Sequence, residues 1–175
     1  MKTRKIGLLG AGLLALLAGP AWAVSLVDPV TLNFGKTDYA LPLTGTIALG
    51  TDGTVAYSGA FDGSGVGAAG QLRLQDTPGT VVEIACADGT LAHSGGATLA
   101  LEGGLAVGAA NVGTYGAALA CDGLGTVLTT HSLTAQNSEN IIFFGGRLTP
   151  TSLQAGAYTT TNTGGVPLAV RVVVQ

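Results

Sequence analysis

The chain has 175 residues, of which 29 are glycine, 10% are charged and 5% are aromatic. From residue 24 onward it carries four Lys or Arg and ten Asp or Glu, a net charge of −6. Because nucleic acids and anionic lipids are bound through clustered cations, this composition argues against both as partners.

The first 23 residues have the pattern of a secretory signal peptide. Three of the first five residues are basic, residues 6–18 are apolar, and Ala21-Trp22-Ala23 is a small-x-small cleavage site. The apolar run is too short to span about 30 Å of hydrocarbon as a helix. We therefore expect residues 1–23 to be removed, leaving a single exported domain over residues 24–175 with no integral membrane span. Its expected location is the periplasm, the cell surface or the medium.

The first strand-like run of the expected mature chain alternates between apolar and other residues, with an interruption at Asp28-Pro29. Such a run either forms the first strand of its own domain or completes the sheet of another chain, where main-chain hydrogen bonds give affinity. The sequence leaves both readings open. The strand-exchange candidates are Val24, Leu26, Val30, Leu32 and Phe34, with Val30, Leu32 and Phe34 expected on one face.

A β-hairpin is predicted around Asp52-Gly53, because this dipeptide tolerates the positive φ angles of a tight turn. It separates two alternating apolar sets. They are Leu41, Leu43, Ile47 and Leu49 before the turn, and Val55, Tyr57 and Phe61 after it.

Period-two alternation continues along the rest of the chain. Residues 126–144 are interpreted as a strand, a polar loop at 137–140 and a second strand from Ile141. About nine short strands, mostly antiparallel, predict an all-β fold of the Ig-like or pilin-like sandwich type, with a closed β-barrel as the alternative. The remaining apolar sets are Leu72 and Leu74; Val82, Ile84 and Cys86; Leu99 and Leu101; Tyr115, Ala117, Leu119 and Cys121; and Val166, Leu168, Val170, Val172 and Val174.

The two cysteines, Cys86 and Cys121, both lie at the apolar positions of their strands. In an exported chain an even cysteine count indicates a disulfide. We therefore predict one bridge, inside the core or between neighbouring strands. Two free thiols or metal ligands are the alternative, although no His or Cys stands at ligand spacing from either cysteine.

Motifs for catalysis and anchoring are present only in the wrong context. Residues 65–70 match G-x-G-x-x-G, but a strand-like run follows them where a dinucleotide site needs a helix. Residues 41–45 match the wall-sorting motif Leu-Pro-x-Thr-Gly, but they lie near the start of the expected mature chain. A hairpin loop is predicted for the first motif. A strand with Pro42 at its edge or first position is predicted for the second.

His93 and His131 are the only side chains expected to serve as bases near neutral pH. No serine lies in a G-x-S-x-G elbow, so hydrolysis is the least favoured hypothesis. We expect His131 in a half-buried strand and His93 in a solvated turn. No catalytic residue, cofactor or metal ligand is predicted. Five aspartates are expected to stabilise turns by hydrogen bonds to nearby backbone. These are Asp52, Asp62, Asp76, Asp88 and Asp122.

Four segments together resemble a bacterial secreted family of unknown function, family forty-four-oh-two. The resemblance implies a β-sandwich that is a fimbrial or surface-fibre subunit, and it transfers no catalytic residue. The stretch 159–165 departs from the family pattern and leaves the pairing of the last strand open. The four segments are Leu32-Asn33-Phe34-Gly35, Phe144-Gly145-Gly146-Arg147-Leu148, Gln154-Ala155-Gly156-Ala157-Tyr158 and the alternation from Pro167 to Val174.

The function expected from these observations is that of an exported, non-enzymatic structural or surface protein that assembles through β-strand pairing, as a fimbrial or pilus-like subunit does. The expected partners are copies of itself or related subunits, with a periplasmic chaperone and an outer-membrane usher. The alternative is a monomeric periplasmic or extracellular module that binds glycan or another ligand.

Overall fold

The structure, a computed structural model, describes residues 4–8, 15–16, 25–63, 66–108, 118–135 and 139–175, with backbone alone for 4–8, 15–16 and 26–28. The cleavage site predicted after Ala23 lies outside these ranges, and so does Val24. In the described ranges no helix has the length and apolarity needed to cross a membrane. The strands are β1 Arg4–Leu8, β2 Ala15–Leu16, β3 Ser25–Val30, β4 Gly35–Tyr39, β5 Ile47–Leu49, β6 Val55–Tyr57, β7 Phe61–Gly63, β8 Gly70–Gln75, β9 Val81–Ala87, β10 Gly89–His93, β11 Thr98–Val107, β12 Leu119–Ala120, β13 Thr129–Ser132, β14 Ile141–Leu148, β15 Tyr158–Thr159 and β16 Ala169–Val174.

The strands form three sheets. The largest has the order β15-β10-β11-β14-β5-β6; β12 also pairs with β11, and β8 pairs with both β14 and β3. The second sheet has the order β13-β9-β16-β2 and the third the order β1-β4-β7. Every pairing between described strands is antiparallel except that of β2 with β16. One sheet curls into a half-barrel, and the whole is consistent with an all-β sandwich, which confirms the predicted fold class.

The strands are more numerous and shorter than the nine or so predicted, because turns divide several apolar runs. The run from Val55 to Phe61 is an example. Gly59 adopts a φ of 65° and lies close to the backbone of Thr44, so that a Cβ there would be 2.3 Å from the Thr44 carbonyl oxygen. The turn at Gly59 ends β6 in the largest sheet and sends the chain to β7 in the third sheet.

A single hydrophobic cluster draws side chains from all three sheets. Tyr39 of β4, Phe144 of β14 and Val170 of β16 all belong to it, and each is almost fully buried. Alternate residues of a strand project to opposite faces, so β8 contributes Leu72 and Leu74, and β9 contributes every second residue from Val82 to Cys86. The largest fully buried side chains are Tyr158, Phe34, Phe144, Ile47, Leu49, Leu72, Leu74, Ile84, Leu91 and Leu105.

The hairpin predicted at Asp52-Gly53 is confirmed. Leu49 of β5 is opposite Val55 of β6, and Gly53 adopts a φ of 81°. The Asp52 carboxylate accepts a hydrogen bond from the backbone N–H of Thr54 at 2.8 Å. The interpretation of residues 41–45 as a strand was wrong, because Leu41 is 69% exposed and its peptide bond to Pro42 is cis in a loop before β5.

The predicted common face of Val30, Leu32 and Phe34 is only partly correct. Leu32 and Phe34 are buried in the core, whereas Val30 is 43% exposed. The pairing of β3 with β8 shifts register between Val27 and Val30, where Asp28-Pro29 interrupts the strand. Because a shift of one residue moves side chains to the opposite face, Val30 lies on the outer face opposite Gln71.

The predicted positions in the last strand are confirmed for Leu168 and Val170, which are buried. Val166, in contrast, is 51% exposed because it lies before β16 and forms an isolated bridge with Thr90 on the edge of β10. The stretch 159–165 stays at the β10 edge, between the pairing of β15 and the bridge of Val166 with Thr90, and the chain passes to the second sheet only after Val166. There β16 pairs with β9 along its whole length.

Candidate functional site

The predicted disulfide between Cys86 and Cys121 is present. The two Cα atoms are 4.9 Å apart, and the bridge closes a sequence separation of 35 residues. Cys86 is a buried residue of β9, while Cys121 follows β12 and packs against the core. The bond therefore connects the second sheet to the largest one. The run from Tyr115 to Ala117, predicted to lead into this position, lies outside the described residues.

The surroundings of the disulfide contain two residues whose roles sequence patterns did not reveal. The backbone N–H of Gly103 donates a 2.7 Å hydrogen bond to the carboxylate of Asp88, fifteen residues away. A Cβ at Gly103 would lie 2.7 Å from Sγ of Cys121. Asp88 was expected to stabilise a turn through its own backbone, but its carboxylate instead connects the β9–β10 link to β11 beside the disulfide. The turn assignment holds for Asp52, whose bond is local.

His131 takes part in a structural hydrogen-bond cluster centred on Asn140. As expected, His131 lies half-buried in β13, and its Nε2 is 3.3 Å from Oδ1 of Asn140. Asn140 is 2% exposed, accepts the N–H of Thr134 and donates from Nδ2 to the Thr134 carbonyl. The carbonyl of Asn140 also accepts the N–H of Leu74. Asn140 thus connects the backbone of Thr134, just after β13, to Leu74 in the core.

Replacing Asn140 with alanine is expected to lower the free energy of unfolding by about 2 kcal/mol, because the half-buried N–H and carbonyl groups of Thr134 lose their hydrogen bonds to its side chain. Urea denaturation monitored by circular dichroism measures this loss. The matched control is Ser152→Ala, at an exposed loop position, which is expected to change stability by less than about 0.5 kcal/mol. Equal stability of the two variants would contradict the assigned role of Asn140.

His93 lies at the end of β10 and is more enclosed than the solvated turn predicted for it. Its ring packs against Tyr158, with centroids 5.2 Å apart, and its Nδ1 accepts the N–H of Gly95 at 2.9 Å. The Tyr158 hydroxyl accepts the N–H of Gln154 at 2.7 Å. The Gln-x-Gly-x-Tyr segment therefore closes over His93, and a Cβ at Gly156 would be 2.4 Å from His93 Nε2.

His93 and His131 lie in separate hydrogen-bond networks on β10 and β13, strands that belong to different sheets. In the described ranges no three His, Cys, Asp or Glu residues are grouped in a way that could hold a metal ion. The G-x-G-x-x-G motif is followed by strand β8 and not by the helix that a dinucleotide site needs. Its described part, residues 66–70, forms a bridge from Ala68 to Asn33 and the start of β8.

The strand-exchange candidate forms an edge of the largest sheet. β3 pairs with β8 in its own chain, with Ser25 opposite Gln75 and Leu26 opposite Leu74. On its other side, no described strand pairs with it. The two ends of the candidate differ: Ser25 and Val30 are exposed, whereas Phe34 is completely buried.

Two other strand edges are covered only by residues of the predicted signal segment. β1 pairs with β4 over five positions, and β2 pairs with Ala169 and Val170 of β16. Within the described part of residues 24–175, no strand takes these places. Removal of residues 1–23 would therefore expose the outer edges of β4 and β16, which hydrophobic patterning alone did not reveal.

Comparisons with known proteins found no matching family model, no matching characterised protein and no matching solved structure.

Proposed function

We propose that this protein is an exported structural subunit of a bacterial surface assembly, in which β3 of one copy pairs with β8 of the next. The support comes from the location of β3 at a sheet edge, where only β8 holds it among the described strands. The disulfide between Cys86 and Cys121 is compatible with an oxidising compartment outside the cytoplasm.

The geometry divides the candidate segment into a donor part and an anchor. Leu32 and Phe34 are buried in the chain's own core, and Asn33 forms a bridge with Ala68. These residues stay with their own domain. The register break at Asp28-Pro29 and the exposed Val30 separate them from the rest of the strand. The donor is therefore the part from Val24 to Val30, and exchange reforms in the next copy the contacts that β3 makes with β8.

Such exchange produces a head-to-tail assembly. Each copy offers a donor strand at one place and a vacated β8 edge at another, so the contact is heterologous. Heterologous contacts that do not close into a ring build open filaments. Main-chain hydrogen bonds give the affinity, and the register of the pairing places Leu26 opposite Leu74.

A cysteine pair distinguishes exchange from pairing within one chain. In the variant Ser25→Cys with Gln75→Cys, the two new thiols stand directly opposite each other across the β3–β8 pairing. We expect oxidation of the assembled, exported protein to link different copies and to give a ladder of covalent oligomers on a non-reducing gel.

The matched control is Ala48→Cys with Ala56→Cys in the β5–β6 hairpin, where the opposed residues are only eight positions apart in one chain. This pair is expected to cross-link within monomers. If the Ser25 and Gln75 variant also forms only cross-linked monomers, exchange of β3 is wrong. Saturable binding of this monomer to a polysaccharide fraction would then favour the ligand-binding module.

A further inference from the structure

The outer edge of β16 is a second open strand edge, distinct from the β3 donor. β9 covers one side of β16 over all six residues. On the other side, β2 reaches only Ala169 and Val170, and no strand in the described ranges pairs with Arg171–Val174. Since β2 belongs to the predicted signal segment, its predicted removal would leave the whole edge open.

This edge lacks the features with which proteins usually prevent strand edges from pairing. Five of its six residues are apolar, Arg171 is its only charge, and it contains no proline. Charged side chains, prolines and bulges are the common protections of an exposed edge. Val172 and Val174 pack against the core but stay half-buried, and Val173 is 38% exposed on the opposite face. A further strand would cover these valines.

From this edge we infer that two copies of the chain pair through β16, antiparallel, across a two-fold axis at Val172. Opposed residues of an antiparallel pair project to the same face, so a register that keeps both cores continuous must oppose core-facing positions. Centred on Val172, the register opposes Val172 to its own copy and Val170 to Val174 of the second copy. Arg171 then lies opposite the second copy's Val173, so the two arginines are not opposed.

Charges on the outer face are complementary in this register. Nε of Arg171 is buried and has no hydrogen-bond partner among the described residues. Within one chain, Glu83 of β9 lies opposite Val173. Each Arg171 therefore faces, beyond the second copy's Val173, the carboxylate of that copy's Glu83. The two backbones are two strand spacings apart, about 10 Å, which these long side chains can bridge.

Charge substitutions at Val173 test this contact, because the position faces both Arg171 of the second copy and Glu83 of its own chain. In Val173→Lys the new ammonium group gains Glu83 as a neighbour within the chain, so the fold is retained. Across the contact, however, it opposes Arg171. We expect its dimer dissociation constant to be at least about tenfold higher than that of Val173→Glu. Both are measured by sedimentation in the protein without Val24–Pro29, so that exchange of β3 does not contribute.

The matched control is Val66→Lys, which makes the same change of charge at a loop residue that is 90% exposed. In the same shortened background it is expected to dimerise as the protein without the Val66 substitution does. Equal dissociation constants for Val173→Lys and Val173→Glu would overturn the proposal, as would a monomer at every concentration.

Cysteines at the proposed axis test the register itself. Val172→Cys places two thiols directly opposite each other, within the Cα separation that a disulfide needs. In Val174→Cys the two thiols are four residues apart along the strands, about 14 Å, and cannot join. We expect a covalent dimer from the first variant only. Peptide mapping should still find the native bridge between Cys86 and Cys121. Cross-linking of the second variant, or of neither, would overturn this register.

The β16 contact and the exchange of β3 can be refuted independently of each other. The β16 tests report on a two-fold dimer, whereas the Ser25 and Gln75 pair reports on donation of β3. A covalent Val172→Cys dimer without the β3 ladder would support the β16 contact and refute strand donation. The reverse result would refute the β16 contact alone.

Discussion

Gly145→Ala is expected to lower the free energy of unfolding by about 3 kcal/mol, at the upper end of the range for over-packed sites. A Cβ at this position of β14 would lie 2.3 Å from the carbonyl oxygen of Leu49, 3.0 Å from C of Gly50 and 3.1 Å from N of Thr51. All three atoms belong to backbone, which no side-chain rotation can move away. The β5–β6 hairpin must therefore shift relative to β14. Urea denaturation of the purified variant measures the loss.

Gly125→Ala is the matched control for this substitution. Nothing lies within 4 Å of the position a Cβ would take at Gly125, and its backbone is not in the left-handed region. Alanine there restricts the unfolded chain without a clash, so we expect a change between zero and a gain of about 1 kcal/mol. If Gly145→Ala were as stable as Gly125→Ala, the close approach of the hairpin to β14 would be wrong.

Removal of the disulfide is expected to have an effect of similar or larger size. In the chain-entropy model, a bridge that closes a loop of this size contributes about 4 kcal/mol. The double variant Cys86→Ala with Cys121→Ala should lose about that amount, and reduction of the unchanged protein should give the same stability as the variant. Denaturation with and without a reducing agent measures both losses. Alanine suits the site because Cys86 is fully buried and a hydroxyl group there would need a partner.

The double variant supplies its own control, since a reducing agent has no bond to break in it. Its unfolding midpoint should be the same in oxidising and reducing buffers. A double variant that is as stable as the oxidised protein would show that the bridge between the second sheet and the largest sheet does not stabilise the fold.

Local patterns in the sequence predicted those parts of the fold that neighbouring residues determine. The hairpin at Asp52-Gly53 follows from the φ angles these residues tolerate, and the turn bond of Asp52 is made to a residue only two positions away. The alternation of apolar residues along the strand placed Cys86 among the buried residues of β9 and indicated that the disulfide would lie in the core or connect strands. The all-β class follows from the same alternation.

The features that sequence reasoning missed depend on residues far apart in the chain. Gly103 of β11 lies opposite Gly146 of β14, and a Cβ on either residue would meet side chains from distant parts of the chain. No local pattern shows which strands will approach so closely. The alternation at Val30 failed for a related reason, because the register with β8 shifts at Asp28-Pro29.

The candidate site was predicted only as a segment. Alternation identified residues 24–34 as a strand that either stays in its domain or pairs with another chain. The structure adds the division between an edge strand and the buried anchor formed by Leu32 and Phe34. It also adds the edge of β16. Which strands end up at edges depends on the strand order, and the order depends on pairings between distant segments.

The mass of the exported protein in solution, measured by light scattering with and without Val24–Pro29, tests the proposed assembly most directly. We predict heat-resistant, high-mass oligomers of the intact protein, which electron microscopy should show as fibres, and their loss in the shortened one. An intact exported protein that stays monomeric at every concentration would contradict assembly through strand pairing.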